Sequence, residues 1–143
     1  MKTVVLYASV HHGNTKKIVD AIQKETLCDV IDATKYNGED LSIYDRVVIA
    51  SGVYFAALHN SISLILKDGR IKQNDVRLIL TSGSKSKKYI KKISDFYRAY
   101  GVEFKSTYIC KGYDTYGFFK LIGGIAKNHP NNDEIQRAVQ SVL

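Results

Sequence analysis

A short polar segment near the amino terminus has the residue types of an anion-binding loop. It joins an apolar run to a stretch whose apolar residues recur at helical spacing, and it reads Ser9-Val10-His11-His12-Gly13-Asn14-Thr15. Backbone N–H groups at the start of a helix lack partners within the helix, and the helix dipole favours negative charge there. We expect Asn14 to be the N-cap of this helix. The segment therefore predicts either a phosphate site or a plain capped turn.

The same segment lacks the spacing of the common nucleotide-binding motifs. It matches neither GxxxxGK(S/T) nor GxGxxG, so the fingerprints of nucleoside-triphosphate and dinucleotide sites are absent. His11 and His12 would suit a phosphate dianion if they were protonated. We expect no metal site, because only His59 and His129 accompany them and the four histidines form no recognisable ligand pattern.

Apolar runs and amphipathic segments alternate along the chain. The predicted strands are Lys2–Ser9, Cys28–Ala33, Arg46–Ser51, Asp75–Thr81 and Val102–Cys110. Predicted helices follow the first, third and fourth strands and also Pro130, where Asn131 and Glu134 have the spacing of a capping box. This alternation predicts an α/β fold with a parallel sheet and helices on both faces. Ligands of such sheets bind beyond the carboxyl ends of the strands.

The motif Ser-x-x-x-Gly-Asn-Thr on a strand-to-helix turn, near the start of a five-stranded α/β chain, resembles flavodoxin. A second loop, Ser51-Gly52-Val53-Tyr54-Phe55, and a third, Thr81-Ser82-Gly83-Ser84, stand where flavodoxins wrap the flavin ring. The resemblance covers essentially the whole chain. It implies one FMN-binding domain, residues 1–143, folded as a three-layer α/β/α sandwich with a five-stranded parallel sheet of order 2-1-3-4-5.

The resemblance assigns the phosphate to the first loop and the flavin ring to the other two. The expected cofactor-binding residues are Ser9, His11, His12, Gly13, Asn14, Thr15, Ser51, Gly52, Val53, Tyr54, Phe55, Ser82, Gly83 and Ser84. Tyr54 and Phe55 are the candidates for stacking on the ring, with ordinary loop packing as the alternative. Lesser aromatic candidates for the other ring face are Tyr89, Tyr113 and Tyr116, and Asp114 and Tyr116 would only cover the site.

The chain also departs from most flavodoxins. It has His11-His12 where flavodoxins usually have Ser/Thr-x-Thr, it has no Trp, and it is basic, with 21 Lys+Arg against 14 Asp+Glu. Five lysines lie in the segment Lys85–Lys92. That segment is either a solvated helix face or a docking surface for an acidic protein, an anionic substrate or nucleic acid. Nucleic acid ranks last, because no nucleic-acid-binding motif accompanies the lysines.

Length and composition exclude several classes of protein. The 143 residues are 45% apolar and 24% charged, which excludes a disordered chain, a collagen-like rod and a coiled coil. We expect no signal peptide and no membrane anchor, because the longest nearly apolar run, Val47–Leu58, is too short to span a bilayer. Cys28 and Cys110 match no zinc or redox-dithiol spacing, so we expect a reducing, cytoplasmic location. In the order 2-1-3-4-5 they lie on opposite edges of the sheet, and we expect no disulfide between them.

The resemblance implies an electron carrier that uses FMN and exchanges electrons with redox partner proteins, acidic ones among the candidates. The alternative is an FMN-dependent oxidoreductase of the quinone reductase or protoporphyrinogen dehydrogenase type, whose anionic substrates would suit a basic rim. A third interpretation is an interaction module that has lost the flavin, and the aromatic second loop argues against it. We expect neither nucleic acid nor a membrane among the partners.

Overall fold

The protein is described by a computed structural model that covers residues 1–10, 13–83, 86–112 and 128–143. Five parallel strands form its sheet, in the order β2-β1-β3-β4-β5. They are β1 (Thr3–Ala8), β2 (Asp29–Asp32), β3 (Arg46–Gly52), β4 (Asp75–Ser82) and β5 (Phe104–Lys111). The predicted fold class and strand order are confirmed, and the strand boundaries differ from the predicted ones by at most two residues.

Four helices are described around the sheet. They are α1 (Asn14–Thr26), α2 (Asn60–Lys67), α3 (Lys87–Arg98) and α4 (Asn132–Val142). Two short 3-10 turns, Ala33–Lys35 and Leu41–Ile43, occupy the polar connection after β2. The predicted capping box is present: the Glu134 N–H donates to the Asn131 side chain, and the Asn131 N–H donates to the Glu134 carboxylate. Within the described residues, no helix combines the length and the apolar character needed to cross a membrane.

The sheet separates two apolar cores, because successive side chains of a strand point to opposite faces. Leu6 of β1 packs on one side with Ile62 of α2 and Ile93 of α3. Val5 packs on the other side with α1 and α4, through residues such as Ile18. Strand β1 is therefore buried on both faces, as its continuous apolar run predicts.

The apolar residues of α3 recur at helical spacing, but only some of them are buried. Ile93 and Tyr97 are buried, but Phe96 and Tyr100 are 49% and 45% exposed. Residues four apart share one side of a helix, so Ile93 and Tyr97 face the sheet together. Phe96 and Tyr100 form a parallel stripe to one side of it, which the sheet does not cover. The apolar pattern of α3 is thus wider than the surface that it buries.

A buried ion cluster lies at the amino ends of the strands, opposite the edge where ligands are expected. The Asp75 carboxylate receives Arg46 Nε and Arg77 Nε, each at 2.8 Å. Burial raises the pKa of Asp75, but hydrogen bonds from the two arginines outweigh it and hold the pKa below its usual value. Arg46 Nη1 also donates to the Val142 carbonyl at 2.7 Å. The cluster thus holds the end of α4 against β3 and β4.

Candidate ligand site at the carboxyl edge of the sheet

Three loops meet at the carboxyl edge because β1, β3 and β4 are neighbours in the sheet. We call them the first loop (residues 9–13), the second loop (residues 51–59) and the third loop (residues 81–86), each of the last two counted from the end of its strand. The sequence predicts the site at this edge. His11 and His12 of the first loop and Ser84 of the third lie outside the described residues. So do Lys85, Tyr113, Asp114 and Tyr116.

The first loop enters α1 through a glycine. Gly13 is the N-cap, and its φ of 65° is left-handed, a conformation that glycine adopts without a Cβ penalty. The prediction that Asn14 caps α1 is therefore wrong. Gly13 has no side chain with which to bond the helix end, and the Ser9 hydroxyl accepts a hydrogen bond from the Lys16 N–H at 3.1 Å instead. Ser9 thus lies at the start of α1, as its predicted role requires.

Asn14 packs against Gly112, which follows β5. A Cβ on Gly112 would lie 2.6 Å from Asn14 Nδ2 and 2.8 Å from Asn14 Cγ, distances that real contacts do not reach. The Gly112 N–H donates to the Ser82 carbonyl at 2.9 Å. Gly112 thereby joins the start of α1 to the ends of β4 and β5. Gly112 was not predicted as a site residue, although a glycine close to the end of a predicted strand is a signal of a close backbone approach.

Thr15 and Thr81 join α1 to the end of β4. Their hydroxyl oxygens are 3.0 Å apart, and both residues are buried. The side chain of Thr15 therefore bonds inside the protein, while its predicted role toward a phosphate stays a prediction. Thr81 was named in the third loop but not among the binding residues. Its signal is a hydroxyl residue directly after the apolar run that ends at Leu80.

The second loop is a tight turn with unusual backbone angles. The Tyr54 N–H donates to the Ala57 carbonyl at 2.8 Å, and the Ala57 N–H donates to the Tyr54 carbonyl at 2.9 Å. Phe55 and Ala56 between them have φ values of 51° and 60°, a conformation normally taken by glycine or asparagine. Phe55 stands at the tip with 83% of its surface exposed. Backbone strain of this kind clusters at ligand clamps.

The Tyr54 side chain folds back over Gly52. A Cβ on Gly52 would lie 2.9 Å from the Tyr54 hydroxyl oxygen, so any larger residue here would displace the Tyr54 ring from this position. The Tyr54 ring meets the His59 ring edge-on, with 5.3 Å between centroids. Burial raises the pKa of Tyr54, and a hydrogen bond with the Val10 backbone opposes part of that rise. Tyr54 thus connects the second loop to the first. Val10 and His59 were not predicted as site residues.

The buried hydrogen-bonding groups of the second loop have partners within the protein. The Ser51 hydroxyl donates to the Gly52 carbonyl at 2.7 Å and accepts from the His59 N–H at 3.1 Å. The Val53 N–H donates to the Thr81 carbonyl at 3.0 Å. These bonds show that Ser51 and Val53 fix the shape of the loop. Their direct contact with a ligand, like that of Ser82 and Gly83 at the end of β4, stays a prediction.

Tyr89 is the one lesser aromatic candidate within the described residues. It lies in the first turn of α3, partly buried, and packs against the core on the α2 and α3 side of the sheet. The other two aromatic candidates fall outside the described residues.

The family model of the flavodoxin domain matches residues 4–122 of the chain. The chain belongs to the flavodoxin family. An uncharacterized protein from Methanocaldococcus jannaschii is 40% identical over 141 residues, which are 96% of this chain and 93% of that protein.

Solved structures agree with the family at the level of the fold. A flavodoxin from Streptococcus pneumoniae TIGR4 superposes with a TM-score of 0.66 at 18% identity, covering 99% of this chain and 95% of that one. A flavoprotein from Lactobacillus acidophilus, solved in complex with FMN, superposes with a TM-score of 0.58 at 17% identity. The superposition covers 76% of this chain and 92% of that one. These superpositions show that the chain has the fold of these flavodoxin-like proteins.

Proposed function

We propose that this chain binds FMN at the three loops and carries electrons between redox partner proteins in the cytoplasm. The observation that carries the proposal is the way the three loops are joined. Thr15 at the start of α1 contacts Thr81, and the Thr81 carbonyl accepts the Val53 N–H of the second loop at 3.0 Å. Tyr54 of the second loop forms a hydrogen bond with the Val10 backbone of the first. These contacts hold the start of α1 beside a strained aromatic turn. A flavoprotein of the same fold has been solved with FMN, which supports the choice of ligand.

The described residues fit FMN at both of its ends. A phosphate dianion suits the start of α1, where Gly13 caps the helix without a side chain and Ser9 and Asn14 lie close by. A planar ring suits the second loop, where Phe55 is exposed at the tip of the turn. The backbone strain at Phe55 has a function under this proposal, because it presents an aromatic side chain to a ligand.

Bound FMN would supply reversible electron transfer, and the protein would supply binding, burial and electrostatics. The described parts of the three loops contain no carboxylate among residues 9–10, 13, 51–59, 81–83 and 86. An acidic surrounding disfavours the extra negative charge of a reduced flavin. We therefore expect this chain to hold reduced FMN more readily than acidic flavodoxins do.

The first experiment compares FMN with riboflavin, which lacks the phosphate. Flavin-free protein is titrated with each, and quenching of flavin fluorescence gives the dissociation constant. Asn14→Ala removes an amide at the start of α1, and a lost hydrogen bond to a charged group costs about 1.5–3 kcal/mol, or roughly 10- to 150-fold. We expect this loss for FMN and little change for riboflavin. An equal loss for both ligands would show that the first loop does not hold the phosphate.

A second variant tests the packing at the site. Gly112→Ala forces Asn14 to move, because the added Cβ would overlap its side chain. We expect weaker FMN binding in the wild-type background and a smaller effect in the Asn14→Ala background, where Nδ2 and Cγ are gone. If the protein shows neither flavin absorption as purified nor quenching after FMN addition, the proposed function is wrong.

The basic surface favours one alternative, an FMN-dependent oxidoreductase that acts on an anionic substrate. The net charge is +7. Steady-state assays of the FMN-loaded protein with NAD(P)H and a quinone separate the two functions. A carrier alone should show no turnover at enzymatic rates, about 1–1000 per second, and should exchange electrons only with a protein partner. Turnover in that range without a partner would favour the oxidoreductase.

A further inference from the structure

An exposed apolar group lies on the α2 and α3 side of the molecule. Leu64 of α2 is 60% exposed, and it is accompanied by Phe96 and Tyr100 of the uncovered stripe of α3. The ammonium group of Lys67 lies 5.2 Å from the centre of the Phe96 ring. We call Leu64, Lys67, Phe96 and Tyr100 the α2–α3 patch. Large apolar side chains clustered on one face, with cations at the rim, are typical of interaction surfaces.

An open groove of about 650 Å³ continues the α2–α3 patch. It runs between residues 36–38 and the end of α2, and Leu64 and Lys67 line it. On its far side the Arg70 guanidinium lies 5.9 Å from the Tyr36 ring and pairs with Asp68 at 2.7 Å. The groove is large enough for one or two side chains of a partner. Patch and groove therefore form one continuous surface.

The surface beside the patch is strongly basic. Helix α3 carries five cationic side chains and one carboxylate. That carboxylate, Asp95, is already paired with Lys91 at 2.5 Å and Arg98 at 3.3 Å. Lys88 and Lys92 form no ion pair with the described residues. They lie at four-residue spacing with Phe96, on the same stripe of the helix. Two lysines without an ion-pair partner among the described residues therefore lie on the same stripe as the exposed aromatic ring.

We propose that this surface docks an acidic segment of a partner protein, with apolar side chains seated on the α2–α3 patch and in the groove. Charge complementarity selects this occupant. A second copy of the chain would bring like charges together, and such contacts disfavour association. The inference goes beyond flavin binding, because Phe96 lies about 14 Å along α3 from Lys87, which is nearest the third loop. Docking there leaves the carboxyl edge of the sheet open.

Fluorescence anisotropy with two labelled peptides tests the docking. Both are helical and carry the same number of glutamates. One presents Leu and Phe at i, i+3, i+4 and i+7, and the other has Ser at those positions. We expect saturable binding of the first peptide and at least about tenfold weaker binding of the second, because buried apolar anchors dominate interface energies. The flavin-free protein should bind as the FMN-loaded protein does, so that failure of the proposed function leaves this test intact.

Matched variants locate the binding on the molecule. Phe96→Ser and Leu64→Ser should each weaken the first peptide about tenfold, and the Lys88→Glu, Lys92→Glu double variant should weaken it at low salt. Controls of the same chemistry lie elsewhere: Ile43→Ser removes an exposed apolar side chain outside the patch, and Lys24→Glu with Lys105→Glu reverses two exposed charges. The controls should change the affinity by less than about twofold. Thermal unfolding confirms that each variant is folded.

Four outcomes would overturn the proposal. Equal binding of both peptides would show that charge attraction alone accounts for the binding. Unchanged affinity in both patch variants would place binding elsewhere. Phe96-dependent binding to phosphatidylglycerol vesicles or to a DNA duplex, in the absence of peptide binding, would assign the surface to another class of partner. Dimerisation in sedimentation equilibrium that is lost in Phe96→Ser would make it a self-association face.

Discussion

The hydroxyl of Thr15 in the first turn of α1 lies 3.0 Å from the hydroxyl of Thr81 at the end of β4, and both are buried. Helix α1 follows β1, and β3 lies between β1 and β4 in the sheet. The contact therefore joins α1 to a strand that is not a direct neighbour of β1. It fixes the start of α1 over the carboxyl edge by a bond that no ligand needs to supply. The candidate site is therefore held together by the protein itself.

The Thr15–Thr81 contact should be visible as a coupling in stability. Thr81→Val keeps the shape of the side chain but leaves the buried Thr15 hydroxyl without this partner, which costs about 1–3 kcal/mol in the free energy of unfolding. Thr15→Val should cost a similar amount. The double variant should cost less than the sum, because no unpaired hydroxyl remains. Urea unfolding of the flavin-free protein measures all three. Thr107→Val, on an exposed position of β5, is the control, and additive losses would contradict the coupling.

The strained turn of the second loop should lower the free energy of unfolding and increase the affinity for FMN. Ala56 has a φ of 60°, and a left-handed residue with a Cβ costs about 1–2 kcal/mol. Ala56→Gly should therefore raise the free energy of unfolding and also weaken FMN, because the turn that presents Phe55 becomes less rigid. Leu27→Gly is the matched control, since Leu27 is an exposed left-handed residue at the end of α1. It should stabilise the protein and leave FMN affinity unchanged. Unchanged FMN affinity in both variants would show that the rigidity of the turn does not contribute to FMN binding.

Glu134 should make stability depend on pH in the acid range. Burial raises its pKa, but hydrogen bonds from His129 and from the N–H groups of Asn131 and Lys111 outweigh burial and lower the pKa below the usual 4.5. The unfolded chain therefore binds the proton more readily than the folded one. The stabilisation is complete above pH 4.5 and is lost as the pH falls through the lower, folded-state pKa.

Urea midpoints between pH 7 and pH 3 measure this dependence. Glu134→Gln should be less stable at pH 7 and should show a flatter decline below pH 4.5. Glu103→Gln removes an exposed carboxylate and is the control, which should keep the wild-type slope. A Glu134→Gln protein with the wild-type slope would mean that another group causes the acid loss.

The sheet could be predicted from the sequence because its signals are local. The apolar run of β1 lies between the two layers of helices, and burial on both faces follows from a run without alternation. The turn at Phe55 and Ala56 could not be predicted, because neither residue favours a left-handed conformation and the two hydrogen bonds between Tyr54 and Ala57 hold the turn in it. Gly112 and Thr81 act through partners in distant parts of the chain, Asn14 and Thr15. Such contacts depend on tertiary packing, and they cannot be predicted from residue type and local spacing.

The exposure of Phe96 on α3 also depends on tertiary packing. Periodicity identifies which residues are apolar and helical, but the buried width of a helix depends on what packs against it. Phe96 continues the apolar pattern of Ile93 and Tyr97, yet its neighbour is the Lys67 side chain rather than the sheet. The sequence alone therefore cannot show that Phe96 is exposed, and the residue indicates an interaction surface only once its exposure is known.

Cys28 and Cys110 should both be free thiols in the native protein. Both are buried; Cys28 precedes β2 and Cys110 lies in β5, the two edge strands of the sheet. Four strand spacings of about 4.8 Å separate these edges, roughly 19 Å in all. A disulfide needs Cα atoms about 4.4–6.8 Å apart, and a packed sheet cannot close the difference by local adjustment. Thiol titration of denatured, non-reduced protein, with mass spectrometry of the monomer, should give two free thiols per chain. An intact Cys28–Cys110 bridge in a native, monomeric sample would contradict the strand order itself.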